Sequence, residues 1–268
     1  MNTPVKYFGG KNLMFKNIIK HFPPKESYNT YIEPFGGSFS LALKMDQPAE
    51  IEIYNDLEQN VYSLYKVLSD KELFNQFKEK CDLANYSEDL RKEYKIKLKE
   101  DNLNIIDRAF YFFYVNRTSH NGVGGISLNI VIRRKMSKSV SDFLSAIDRL
   151  PELHQRLSKV IILNRDGIEL IKKYKNNNNI LIYCDPPYEQ STRTSARYIV
   201  DMNRDSHINF IDAVLNSNAK ILISGYKCDL YNKLEENGFT RIDFDVKTIS
   251  GNFKAKTKTE SLYLNYIK

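Results

Sequence analysis

The chain has 268 residues, 42% hydrophobic and 27% charged, an ordinary globular composition long enough for a full α/β core with one inserted subdomain. No apolar run approaches the ~20 residues of a membrane span, Met1–Lys6 lacks the features of a secretory signal, and Cys81, Cys184 and Cys228 show neither metal spacing nor a disulfide framework; a cytoplasmic protein without a metal is expected. The formal net charge of +7 points to a polyanionic partner.

In chain order, the first feature is Tyr7-Phe8-Gly9-Gly10-Lys11, a glycine turn ahead of the helical pattern Met14–His21. Lys11 there can meet a carboxylate or stay solvated. The run Thr30–Phe35 predicts a first strand that leads into Gly36-Gly37-Ser38-Phe39 and the apolar Leu41-Ala42-Leu43. Glycines at a strand-to-helix turn let a ligand approach the backbone, and the helix start offers free N–H groups. A Walker loop is excluded, because the Lys-Ser/Thr pair is missing. A second strand, Ile51–Tyr54, ends at Asn55-Asp56. An acid about 20 positions past a glycine turn accepts from both ribose hydroxyls, or it caps the next helix. The glycine turn upstream favours the ribose.

Alternation of strand and helix then breaks between residues 57 and 158. Val61, Leu64, Tyr65 and Leu68 recur at helical spacing, as do Ile106, Ala109, Phe110 and Phe113, then Leu144, Ile147 and Leu150. Such stripes predict core faces. Between the second and third lies Asn116–Lys138, polar, glycine-containing and basic. Residues 57–158 are expected to form a helical insertion with one exposed functional loop, and residues 1–56 with 159–268 the catalytic domain.

The strand pattern resumes with Val160–Leu163, which ends at Asn164-Arg165-Asp166-Gly167. Asp166 either accepts from an adenine amino group or caps the Gly167–Tyr174 helix. The buried run Ile180–Cys184 then delivers Asp185-Pro186-Pro187-Tyr188. In open α/β sheets, ligands bind at the carboxyl ends of strands. Two prolines stiffen the backbone and leave carbonyl oxygens as acceptors. A carboxylate, rigid carbonyls and an aromatic face within four residues suit a planar amine, gripped at its NH₂ and stacked on its ring. Beyond it come the basic Arg193 and Arg197, the helix His207–Leu215, the strand Lys220–Ser224, the helix Asp229–Asn237 stopped by Gly238, and the strands Arg241–Lys247 and Ser261–Tyr266. The alternation predicts a mainly parallel sheet covered on both faces.

The order of these elements is more specific than any one of them: a glycine turn, an acid after strand two, an acid after strand three, Asp-Pro-Pro-Tyr after strand four. It resembles the S-adenosylmethionine-dependent amino-methyltransferases and, within them, the Dam-type DNA adenine-N6 methyltransferases, over nearly the whole chain. Tyr7–Lys11 looks like the family's Trp/Tyr-x-Gly-Gly-Lys motif, and Glu33–Phe39 like its Glu-Pro-Phe-x-Gly-x-Gly turn. Asn116-Arg117-Thr118-Ser119 is similar to the segment that opens its DNA-recognition loop. Thr248-Ile249-Ser250 and Glu260-Ser261-Leu262 match its last strands. Phe39 stands where the family's turn has its last glycine, and the recognition loop diverges after Asn121-Gly122.

The resemblance implies a Rossmann-like methyltransferase fold with a seven-stranded, mainly parallel sheet and an inserted helical recognition subdomain. It implies S-adenosylmethionine as cofactor, held by Tyr7, Gly10, Lys11, Glu33, Pro34, Phe35, Gly36, Gly37, Ser38, Phe39, Asp56, Asp166 and Asp185. Methyl transfer to adenine N6 falls to Asp185, Pro186, Pro187 and Tyr188, on a base flipped out of double-stranded DNA. Asn116, Arg117, Ser119 and Asn121 are candidates to position or read the DNA, and Arg133, Arg134, Lys135, Arg193 and Arg197 to hold its backbone. The Arg133–Lys135 run is read as backbone contact in preference to base readout, with a solvated turn as the alternative. A site in the nucleoid of a bacterial or phage-infected cell is expected, and a cognate restriction endonuclease as partner is left open. Two readings compete: an RNA amino-methyltransferase with the same chemistry, and a catalytically idle nucleic-acid-binding module. Glutamine and cytosine-N4 methylation fit less well, since those families usually begin the tetrapeptide with Asn or Ser.

Overall fold

Runs of β-branched residues with little alternation belong in strands buried on both faces, and the computed structural model shows that arrangement. It describes residues 1–6, 11, 14–122, 124–189, 201–249 and 255–267, with backbone alone for Asn121, 246–249 and 255–258. In chain order the elements are α1 (Phe15–Ile19), β1 (Thr30–Glu33), β2 (Ile51–Asn55), α2 (Gln59–Ser69), α3 (Lys71–Asp82), α4 (Glu88–Lys97), α5 (Ile105–Thr118), β3 (Ile132–Arg133), β4 (Met136–Ser137), α6 (Lys138–Asp148) and α7 (Leu150–Leu157). They continue with β5 (Ile161–Leu163), α8 (Gly167–Tyr174), β6 (Ile180–Cys184), α9 (Arg204–Leu215), β7 (Lys220–Gly225), α10 (Asp229–Glu236), β8 (Thr240–Ile249) and β9 (Ala255–Leu264).

Among the described residues, seven strands form one sheet in the order β5-β2-β1-β6-β7-β9-β8. β1 lies parallel between β2 and β6, β6 is parallel to β7, and β9 runs antiparallel to both β7 and β8. The fold is the mixed α/β, mostly parallel, seven-stranded arrangement expected of a Rossmann-like methyltransferase. The two last strands are longer than the sequence pattern predicts, because their mutual ladder runs on from Thr240↔Leu264 to Ile249↔Ala255 through polar residues.

The chain separates into two compact units. One holds Leu13–Gly36, Met45–Glu58 and Leu163–Lys268. Its core gathers Ile32, Ile53, Ile180, Ile182, Ile221 and Ile223 from the strands with Phe210, Val214 and Leu234 from the helices. Each such side chain contributes roughly 1.5–3 kcal/mol by leaving water.

The other unit holds Met1–Asn12, Gly37–Lys44 and Gln59–Ile162. Thus the described residues of 1–12, with 37–44, assigned by sequence to the catalytic part, group with the helices. Where the periodicity marks three helical stretches, six helices occur among the described residues of 59–157. α3 and α4 escape the pattern because their faces are narrow: α3 buries only Phe74, Phe77 and Cys81, and α4 only Arg91. Their starts are nonetheless written in the sequence, with Asp70 and Ser87 as side-chain caps. The stripe Leu144, Ile147, Leu150 spans two helices, since Arg149 ends α6 and Pro151 sits in the first turn of α7; Phe143 is buried in place of Leu144. Aromatic rings fill this core, with Tyr94 against Phe110, Tyr111 and Tyr114, and Phe143 against Tyr86 and Tyr114.

Candidate functional site

In the sheet unit, the chemistry-bearing residues collect at the carboxyl ends of neighbouring strands. The register pairs Ile32 with Ile182 and Glu33 with Tyr54. Continued past the strand tips, it sets Phe35 level with Asp185 on one side and Asp56 on the other. Two strand spacings then separate the two acids, roughly 10 Å. Asp185 is half-buried, Pro186 buried and Pro187 half-buried, immediately after the wholly buried β6.

Asn55 fixes the tips of three strands. Its Nδ2 donates to the Pro34 carbonyl (2.7 Å) and the Arg165 carbonyl (2.9 Å), and its Oδ1 accepts from the Arg165 N–H (2.9 Å). The Gly36 N–H donates to the Asn55 carbonyl at 2.8 Å, and Asn164 Nδ2 donates to the Asp56 carbonyl at 2.7 Å. A buried amide used on both ends in this way rigidifies its surroundings. The glycine at 36 has a packing reason: a Cβ there would lie 2.4 Å from Tyr54 Cε2 and 3.0 Å from the Asn55 carbonyl. A Cβ on Gly167 would likewise lie 2.7 Å from the Phe35 ring and 2.9 Å from the Pro34 carbonyl. The β1 tip, Pro34–Gly36, is therefore closely packed on both sides, against the Tyr54 ring and against the bare backbone of Gly167.

The acids differ in what engages them. Glu33 is buried and its Oε1 accepts from the Tyr31 hydroxyl at 2.8 Å. Asp56 is buried, and its Oδ1 accepts from the Glu58 N–H at 2.8 Å, closing the turn into α2. Asp166 is exposed and caps α8, its Oδ1 accepting from Ile168 (2.8 Å) and Glu169 (3.1 Å). Burial pushes the adjacent Cys184 thiol well above its ordinary range, with the Asp185 and Glu33 charges adding to the effect, so it is no nucleophile.

Tyr188 packs edge-on against Tyr226, with ring centroids 4.7 Å apart at 71°. Its hydroxyl donates to Glu260 Oε2 at 3.2 Å. Tyr226, Glu260 and Asn55 are absent from the sequence-based site. The available signal for Tyr226 is an aromatic residue directly after a buried strand, and for Asn55 a buried amide beside an acid at a strand end.

In the helical unit, Gly37 (φ +47°) and Phe39 (φ +52°) both have left-handed backbone. The place where the family's turn carries a glycine thus keeps the glycine conformation with a phenylalanine in it. The fully buried Phe39 ring meets Tyr65 edge-on at 6.4 Å, and the Tyr65 hydroxyl donates to the Ser38 carbonyl at 2.6 Å. Lys11 is buried. Tyr7, Gly10, Arg193, Arg197 and the Asn121 side chain lie outside the described residues.

The first DNA candidates are turned inward. Asn116 bonds both backbone groups of Lys6, accepting from its N–H (2.7 Å) and donating to its carbonyl (2.8 Å). Arg117 donates to the carbonyls of Pro4 (2.7 Å) and Thr3 (2.6 Å), and burial lowers its pKa to about 10, helped by the Arg149 charge. Ser119 is buried, accepts from Arg91 at 3.0 Å and donates to the Val115 carbonyl. By contrast Arg133, Arg134 and Lys135 are exposed on the β3–β4 hairpin. Its two turn residues, Arg134 (φ +52°) and Lys135 (φ +60°), are both left-handed. That is the pattern of a type I′ turn, which ordinarily selects Asn-Gly. Arg133 pairs with Asp142 at 2.8 Å, and Arg134 donates to Ser145 at 3.0 Å. The adjoining arm exposes Leu128, Ile130, Val131 and Ile132.

Among the described residues, no helix is long and apolar enough to cross a membrane. Comparison with curated proteins returns no match. The sequence model of the D12 class N6 adenine-specific DNA methyltransferases matches residues 7–263, from the first glycine turn to the last strand. With that span covering nearly the entire chain, the protein belongs to the D12 class of N6 adenine-specific DNA methyltransferases.

Proposed function

We propose that the protein transfers a methyl group from S-adenosylmethionine to the N6 amino group of an adenine flipped out of double-stranded DNA. The observation that carries this reading is the half-buried Asp185, followed by two prolines and an aromatic ring, at the tip of a strand one place removed from β2 and Asp56.

The donor set suits the cofactor. Its ribose hydroxyls are hydrogen-bond donors and its sulfonium is cationic, and the tips of β1, β2 and β6 offer the carboxylates of Glu33, Asp56 and Asp185. Asp56 is assigned to the ribose, beside the turn that its Oδ1 closes with the Glu58 N–H. Asp166 is proposed to accept from the cofactor's adenine through Oδ2, since its Oδ1 holds the helix cap. Pro34, Phe35 and Gly36 shape the wall between these acids. Tyr7, Gly10, Lys11, Gly37, Ser38 and Phe39 join the proposal by the family motif alone.

Bound S-adenosylmethionine supplies an electrophilic methyl group on sulfur. The protein's part is to prepare the amine, whose lone pair is delocalised into the purine ring. Asp185 and the Pro186 carbonyl each accept one N6 hydrogen, which lets the nitrogen pyramidalise and localise that pair. Positioning for in-line displacement supplies much of the acceleration, and the fixed acceptors stabilise the positive charge that develops on nitrogen. Tyr188 stacks on the base, its ring held by Tyr226 and Glu260.

Base flipping costs a few kcal/mol. The exposed hairpin Arg133–Lys135, with Arg193 and Arg197, is assigned to phosphate contact, and Asn121 to the groove. Asn116, Arg117 and Ser119 enter as residues that shape the loop.

The test is transfer of labelled methyl from S-adenosylmethionine to duplex DNA and to RNA, with digestion to nucleosides. N6-methyladenine from duplex DNA is expected, and Asp185→Ala should abolish it while cofactor binding stays measurable. Label confined to RNA would establish the competing enzyme reading, and label in neither would leave a binding module.

A further inference from the structure

We infer that Asn55 is a positioning residue for the nucleoside half of the cofactor: its side-chain amide takes the place of sheet rungs and sets the spacing between Asp56 and Asp166. The inference rests on the methyltransferase reading above and adds to it a residue that touches no ligand.

Backbone pairing between β2 and β5 reaches the strand tips, where the Asp56 N–H donates to the Leu163 carbonyl at 3.3 Å. Beyond that bond the rungs are made by side chains. Asn55 exchanges two bonds with the backbone of Arg165: Nδ2 donates to its carbonyl and Oδ1 accepts from its N–H, both at 2.9 Å. This is the reciprocal pattern of a hydrogen-bonded pair in a ladder, with an amide side chain standing in for one peptide. Asn164 Nδ2 completes the arrangement by donating to the Asp56 carbonyl at 2.7 Å. A rung lengthened by a side chain holds the two backbones farther apart than a peptide-to-peptide bond does, yet leaves them tied. The acids flank this side-chain ladder, since Asp56 directly follows Asn55 and Asp166 directly follows Arg165.

Asn55 ties the same ladder to β1. Nδ2 also donates to the Pro34 carbonyl at 2.7 Å, and the Gly36 N–H donates to the Asn55 carbonyl at 2.8 Å. Asn55 is fully buried, so its donors and acceptor have no water to turn to if a partner moves. Only an amide serves at this size: a carboxylate has no hydrogens for two carbonyls, and an aliphatic side chain has neither donor nor acceptor. Ribose and adenine are joined by a single glycosidic bond, so two acids that engage both must keep one separation. Asn55 supplies that separation from behind the site.

The experiment titrates S-adenosylhomocysteine and adenosine into the wild type, Asn55→Asp and Asn55→Ala, beside steady-state kinetics. Both variants are expected to lose affinity for both probes on the order of tenfold and to raise KM for S-adenosylmethionine in step. At saturating cofactor, kcat and the affinity for duplex DNA should stay within about threefold of wild type. A pH profile separates positioning from general loosening. Burial against two carbonyls keeps the introduced carboxyl neutral to higher pH than usual, and the neutral form regains one donor. Relative to wild type, affinity should therefore recover in Asn55→Asp as pH falls from about 8 to about 6, and stay low in Asn55→Ala. Unchanged affinities overturn the inference, as does a fall in kcat or DNA affinity equal to the loss for the cofactor, or a pH response shared by both variants. Should neither variant melt cooperatively, Asn164→Ala, which removes only the bond to the Asp56 carbonyl, is read by the same split of KM against kcat. A wild type that binds neither probe strikes the cofactor reading itself, whereas wild-type binding that the variants retain strikes the role of Asn55 alone.

Discussion

Two residues at the first turn show how much of a motif is packing and how much is ligand. Gly36 is bare because Tyr54 and the Asn55 carbonyl occupy the space a Cβ needs. Gly36→Ala is expected to cost about 1–3 kcal/mol by overpacking and to weaken cofactor binding through the displaced β1 tip, as thermal melts and calorimetric titration would show. An unchanged melt would mean that Tyr54 moves aside freely. Phe39 presents the converse case. Its left-handed backbone is strained for a side chain, yet its ring is fully buried against Tyr65. Restoring the family's glycine should relieve the backbone but forfeit that burial, for a net loss of about 2–4 kcal/mol in a denaturant titration. A stabilised Phe39→Gly variant would show the ring to be expendable. The sequence marks Phe39 as a departure from the pattern; only the backbone reveals that the conformation is retained.

The hairpin β3–β4 is the element where local rule and observed sequence conflict most. Its turn needs two left-handed residues and is filled by Arg134 and Lys135 instead of Asn-Gly. Strain of this kind persists where the side chains are wanted for something else. Arg134→Asn combined with Lys135→Gly should stabilise the protein by about 1 kcal/mol. The same variant should weaken DNA binding at every sequence and reduce the slope of log affinity against log salt by about two phosphate contacts. Tighter or salt-independent binding would remove the hairpin from the interface. Asp142 accepts from Arg133 and Lys138, so a phosphate bound at this hairpin would have to displace it. Surface pairs of this type are weak, about 0–1 kcal/mol. Asp142→Asn is accordingly expected to raise non-specific DNA affinity by no more than about fivefold in a filter-binding or anisotropy titration.

At the scale of the whole molecule, the net charge of +7 supplies long-range attraction, and the sheet supplies a rigid edge on which acids from three strands line up. Cofactor binding should therefore stabilise the fold: at 100 times the dissociation constant, by about 2.7 kcal/mol, a rise of about 5–10 °C in melting temperature. Asp56→Ala should lose most of that rise, and a melt indifferent to S-adenosylmethionine in the wild type would refute the cofactor assignment. The sequence alone marked the seven strands of the sheet, because short apolar or β-branched runs bounded by turn residues belong in strands; it fell short on the length of the last two, whose ladder runs on through polar residues. It also carried the order of glycine turn, Asp56, Asp166 and Asp185, since chain order survives folding unchanged. Tertiary structure alone decided which polar groups are already committed. Asn116, Arg117 and Ser119 read as an exposed, DNA-facing loop, yet their donors and acceptors are taken by Thr3, Pro4, Lys6 and Val115. Asn55 and Tyr226 owe their places to strands distant in the chain. Periodicity reports only which way a residue faces, whereas the partner of a buried polar group can lie more than a hundred residues away, as Lys6 does from Asn116.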